Sequence, residues 1–146
     1  MTYAFLIWCL LVCACICDTK FFKVPNGLIV LGYLLGIHMN LTKYGAVGLM
    51  HFLAGAAWPI AITYLLFVIG GLGAGDIKLF SVIGSMVGTI PEMTYLMCAS
   101  VILAAVAVLA RSLFKKRFVR TKLHFTYYIT AAWILNQLPF KEGFVI

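Results

Sequence analysis

The chain has 146 residues, 64% of them hydrophobic and only 10% charged, and carries a net charge of +7; its mean hydropathy is +1.09. Soluble domains are nearer half apolar and a quarter charged, so water is excluded as the solvent and a lipid bilayer is implied. In a bilayer every backbone polar group must be satisfied within helices or a closed barrel, and continuous rather than alternating apolar runs select helices.

The first expected membrane segment covers about residues 2–17. No Lys or Arg precedes its apolar run from Tyr3 to Cys17 and no A-x-A site follows it, so a retained helix is expected rather than a signal peptide. Cys9, Cys13, Cys15 and Cys17 lie in or near this run, and Cys98 lies in a later one. With no C-x-x-C pair, they read as small apolar helix residues rather than a disulfide or zinc framework. Asp18 ends the segment. In the turn that follows, Pro25 fixes its own dihedral and biases Val24 away from helix, and Asn26 is suited to cap the second segment, 26–40.

The third segment, 46–70, contains Pro59, where a kink is expected. A glycine-rich stretch, Gly70-Gly71-Leu72-Gly73-Ala74-Gly75, leads to Asp76 and the fourth segment, 77–91. The fifth is 93–111. A basic run from Arg111 to Lys122 precedes the sixth, 123–139. The second and fourth are short against the roughly 20 residues of a full crossing. The expected architecture is an all-α integral membrane protein, a bundle of about six transmembrane helices. No repeat, low-complexity tract or soluble segment interrupts it, so residues 1–146 are expected to form one domain.

Charge orients the bundle. Lys20, Lys23, Lys78, Arg111, Lys115, Lys116, Arg117, Arg120 and Lys122 fall on one side of a six-helix arrangement. Only Lys43 and Lys141, of eleven basic residues, fall on the other. Basic residues collect on the cytoplasmic side, which places both termini outside. The positive charge thus reads as topology and contact with anionic headgroups, not as a nucleic-acid surface.

Only four acids are present: Asp18, Asp76, Glu92 and Glu142. The topology puts both aspartates at helix ends on the cytoplasmic side and both glutamates on the outer side. Two carboxylates at one depth in a small bundle can meet across it. Held close, they cannot both ionise, so the pair keeps one proton. The ionised member can activate water while the protonated member supports the carbonyl oxygen, which hydrolyses a peptide without metal or covalent intermediate. The structural alternatives are a helix cap for Asp76 and pairing with Lys20 or Lys23 for Asp18. The glycines before Asp76 remove side-chain bulk where an extended peptide would lie, or form a flexible turn. They are not a nucleotide loop, since G-x-x-x-x-G-K-[ST] is absent.

Gly73-x-Gly75-Asp76-x-Lys78 resembles the G-x-G-D-x-K signature of type IV prepilin leader peptidases. Asp18, followed by Lys23 and Val24-Pro25-Asn26, is similar to the first motif of that family, an aspartate followed by a basic residue and [IV]-P-N. The resemblance implies a membrane aspartyl endopeptidase with Asp18 and Asp76 as catalytic acids, with Lys23, Pro25, Asn26, Gly73, Gly75 and Lys78 as supporting motif positions. It implies substrates that are pilin-, pseudopilin- or archaellin-like precursors with class III signal peptides, short basic leaders ending in glycine ahead of an apolar helix. Neither metal nor cofactor is implied. Larger family members carry a cytoplasmic segment with paired C-x-x-C motifs and also methylate the new N-terminus. This sequence lacks both that segment and a recognisable S-adenosylmethionine loop, so it resembles a short, peptidase-only form.

Three other functions fit parts of the pattern. Presenilin-type intramembrane proteases share G-x-G-D but place the first aspartate within a helix after tyrosine. A proton or ion transporter would carry acids at several depths. A non-catalytic assembly protein would be indifferent to either aspartate.

Overall fold

The computed structural model describes residues 2–21, 23–115 and 124–137. These residues form six α-helices: α1 (Thr2–Phe21), α2 (Asn26–Tyr44), α3 (Gly48–Val68), α4 (Ala74–Val87), α5 (Ile90–Lys115) and α6 (Phe125–Gln137). A 3-10 turn, Gly45–Val47, joins α2 to α3. No strand occurs among the described residues.

Three stretches are long and apolar enough to cross a membrane: Ala4–Phe21, Asn26–Val68 and Ile90–Ala110. The middle one spans 43 residues and contains both α2 and α3. It breaks at Gly45, whose φ of 60° suits glycine, and its two helices pack against each other. Many large apolar side chains remain exposed, among them Leu34, Leu65, Ile102 and Leu109, as lipid contact requires.

The short helix α4 lies at the centre. Its 14 residues extend about 21 Å, less than the roughly 30 Å of a bilayer core. Every residue from Leu79 to Met86 is buried. Lipid supplies no hydrophobic drive between helices, so close approach of small residues has to hold such a helix. Gly84 of α4 and Gly55 of α3 face each other so tightly that a Cβ on either would strike the other's carbonyl oxygen. Pro59 contributes to this crossing. It has no N–H for the Gly55 carbonyl, which packs against Gly84 instead, and α3 runs unbroken through the proline. Gly32 of α2 accommodates Val82 in the same way.

Buried and half-buried hydrogen bonds fix the register of α4. Tyr33 Oη donates to Ser81 Oγ at 2.7 Å, and Ser81 Oγ donates to the Ala56 carbonyl at 2.9 Å. Asn40 Nδ2 donates to the carbonyls of Gly36 and Ser85 at 2.8 and 2.7 Å. Side-chain polar groups thereby find partners where lipid offers none.

Helix ends differ from the expected segments in both directions: α3 falls two residues short at each end of 46–70, α6 starts two residues after 123, and α4 starts and ends earlier than 77–91. α1 continues to Phe21 rather than residue 17, and α5 to Lys115 rather than 111. At these two ends hydropathy marks the membrane boundary, whereas helical hydrogen bonding runs on through the polar residues beyond it. The basic residues Lys116, Arg117, Arg120 and Lys122, with Lys141 and Glu142, lie outside the described residues.

Candidate active site

One end of the bundle opens into a cleft of about 1110 Å³. The last turn of α1 contributes Asp18, the connecting turn Lys23 and the first residue of α2 Asn26. The start of α4 contributes Gly73, Gly75, Asp76 and Lys78, and the residue before α6 contributes His124. The opposite wall is apolar, built from Leu66 of α3 and from Val101, Ala104, Ala105 and Val108 of α5. Two acids 58 positions apart in sequence thus line one cavity.

Asp76 occupies the third position of α4, with Gly73 as N-cap in an extended conformation (φ −82°, ψ 153°). The structural alternative in which Asp76 caps α4 is therefore not what forms: the helix starts at Ala74, ahead of the expected residue 77. The Asp76 carboxylate reaches back, and Oδ2 accepts the Gly73 N–H at 3.2 Å. Glycine has no side chain to return the bond, so only the carboxylate half of a capping box forms. Burial pushes the Asp76 carboxyl up to about 6; the Gly73 N–H opposes the rise and the nearby Asp18 charge adds to it. Desolvation therefore outweighs the amide bond that favours the ion.

Asp18 keeps 14% of its side chain exposed. Thr126 Oγ1 donates to its Oδ2 at 3.0 Å, and His124 Nδ1 lies 3.2 Å from the same oxygen. A carboxylate only accepts, so Nδ1 carries the proton when Asp18 is ionised. The structural alternative, pairing with Lys20 or Lys23, is not what forms. Lys20 is two residues away, and residues so spaced on a helix do not face each other; Lys23 instead lines the cleft.

Asn26 is likewise not the cap of α2. Pro25 takes that position (φ −66°, ψ 139°), and its carbonyl accepts the Leu28 N–H at 3.0 Å. The Asn26 side chain is freed for a longer-range contact: Lys78 Nζ donates to its Oδ1 at 3.3 Å, tying the start of α2 to the start of α4.

The glycines divide in role. Gly70, at φ 79°, needs the left-handed region that L side chains rarely adopt. A Cβ at Gly73 would stand 3.1 Å from Asp76 Oδ2, while one at Gly75 would meet nothing within 4 Å. Gly75 thus keeps the cleft open beside the acid without being required by the backbone.

His124 and Thr126 escaped sequence reasoning. A signal existed, since His124 lies at the start of the sixth segment, at the same end of the bundle as both acids. Among the described residues no three His, Cys, Asp or Glu side chains converge on a possible metal site.

A family model described as the type IV leader peptidase family matches residues 4–109. Among curated proteins and among solved structures, none matches the chain significantly.

Proposed function

The chain belongs to the type IV leader peptidase family, and we propose that it is an aspartic endopeptidase that removes the basic leader of prepilin-like precursors, with Asp18 and Asp76 as its catalytic pair. The observation that carries this reading is that both aspartates line one cleft, where burial holds Asp76 near a pKa of 6 and the charge of Asp18 adds to the rise. A pair with one member so raised retains one proton close to neutral pH.

The roles follow from that proton. Asp76 holds it and hydrogen-bonds the scissile carbonyl oxygen; ionised Asp18 takes a proton from the attacking water. The water oxygen adds to the carbonyl carbon, Asp76 gives its proton to the carbonyl oxygen, and a gem-diol forms. Asp18 then passes its proton to the amide nitrogen. The C–N bond breaks, and Asp76 recovers a proton from a diol hydroxyl. The products are a carboxylic acid and a free amine, and both aspartates return to their starting states. The apolar wall of α5 beside the acids suits a peptide that continues into an apolar helix.

The distribution of basic residues, nine against two, supports a cleft that opens to the cytoplasm in a six-span inner-membrane bundle with both termini outside. The test is reconstitution of the whole chain in liposomes with a panel of precursors, each with a short basic leader ending in glycine ahead of an apolar helix. The expected result is a shortened product whose new N-terminus directly follows that glycine. Survival of every precursor, under conditions where the protein remains folded, contradicts the proposal.

A further inference from the structure

Asp18 is held differently from Asp76. Both contacts to its carboxylate end on one oxygen, Oδ2: Thr126 in the first turn of α6 at 3.0 Å and His124, the residue before α6, at 3.2 Å. Among the described residues, no hydrogen bond reaches Oδ1. The His124 ring is itself oriented by an edge-to-face contact with Tyr127, centroids 5.9 Å apart at 78°, and Tyr127 Oη shares a hydrogen bond of 2.7 Å with Thr19, the neighbour of Asp18. A buried threonine and an imidazole oriented by Tyr127 thus hold one carboxylate oxygen.

We propose that His124 and Thr126 are positioning residues for Asp18: they anchor Oδ2 and turn Oδ1 toward the cleft, where it takes the proton of the attacking water. This rests on the catalytic reading of Asp18 above. It also extends past the family match, which ends at residue 109, before α6 begins. Unanchored, a carboxylate at a helix end rotates about its side-chain bonds, and a misplacement of about 1 Å costs on the order of 100-fold in rate. The other titratable groups facing Asp18 are Cys15 on α1, Lys23 in the following turn, and Asp76 and Lys78 on α4. None donates a hydrogen bond to it.

A structural seam provides the control. One turn deeper, Cys15 Sγ and Thr130 Oγ1 share a contact of 3.1 Å between the same two helices. If α6 merely holds α1 in place, Thr130→Val costs as much as Thr126→Val. On the positioning account, Thr126→Val lowers kcat at least tenfold with KM little changed, Thr126→Ser restores it, and Thr130→Val leaves it near the unaltered value. His124→Asn, which can present an N–H near the position of Nδ1, retains more activity than His124→Leu.

A second readout needs no substrate. The chain has two aspartates, so carboxyl-¹³C-aspartate gives two signals in micelles, assigned with Asp18→Asn and Asp76→Asn. Thr126→Val is expected to move the Asp18 signal and leave the Asp76 signal in place. Unchanged kcat and an unmoved Asp18 signal in both Thr126→Val and His124→Leu, or equal losses in Thr126→Val and Thr130→Val, overturn the positioning role. Full cleavage by Asp18→Asn, by contrast, overturns the catalytic reading beneath it.

Discussion

Asparagine at position 18 removes one charge from the cleft and leaves Asp76 as the only aspartate in the chain. In the unaltered protein Asp76 is raised from 3.8 to about 6, first by burial and to a smaller extent by the charge of Asp18. At about 1.4 kcal/mol per unit, a rise of about two units corresponds to about 3 kcal/mol in favour of the neutral acid. Burial is the larger cause, so Asp18→Asn is expected to lower the Asp76 midpoint only in part and leave it clearly above 3.8. Carboxyl-¹³C-aspartate in that variant gives a single signal whose pH titration reads the value directly. The sign for stability is fixed. The folded value is raised, so the stability contributed by neutral Asp76 is fully present below about pH 4 and is lost as pH rises through about 6. Cleavage follows the same group: kcat/KM, which reports the free enzyme, is expected to fall about tenfold per pH unit above about 6. The corresponding limb of kcat is expected at higher pH, because bound peptide excludes more water. A midpoint at the ordinary carboxylate value in Asp18→Asn would refute the reasoning, since burial would then contribute nothing.

Glycine substitutions separate cleft from core. Gly75→Val is expected to change stability by no more than about 0.5 kcal/mol, read as a nearly unmoved melting temperature, because its side chain enters open space; cleavage is expected to fall on the order of 100-fold as that space is lost to the peptide. Gly55→Val is expected to destabilise by at least the roughly 1–3 kcal/mol of ordinary overpacking, read as a lower melting temperature in micelles, because its Cβ meets the Gly84 carbonyl. Cysteine accessibility is expected to place both termini outside and residues 111–122 inside; a cytoplasmic N-terminus would separate the aspartates from their compartment. Mass spectrometry of a product made with this protein as the only processing enzyme is expected to show a free α-amine, and a methylated one would reveal a transferase site in this chain.

The helices were legible because apolar runs and glycine or proline breaks coincide with them: α2 starts at Asn26 as expected, and six helices occur among the described residues. Helix edges were less so. Whether Asp76 caps α4 or sits in its first turn depends on two residues, Ala74 and Gly75, that carry little signal alone. The juxtaposition of the acids followed from topology, since an odd helix ends and an even helix begins on the same side. Their partners did not follow. Asp18 finds Thr126 and His124 more than 100 positions away, and Asn26 finds Lys78. Such contacts depend on helix rotation about the bundle axis, and the rotation is set by close approaches such as Gly55 to Gly84, which periodicity does not specify. The central claim rests on the acids alone.

That claim is tested most directly by purified, reconstituted protein in four forms: unaltered, Asp18→Asn, Asp76→Asn and the double variant. Each is given the same precursor and scored by product mass. Asparagine keeps the size of the side chain and loses the proton exchange. Each single variant is therefore expected to lose cleavage, and the double variant to be no worse than either, because partners in one catalytic device are not additive. Substantial cleavage by either single variant, with the product cut at the same bond, would contradict the account.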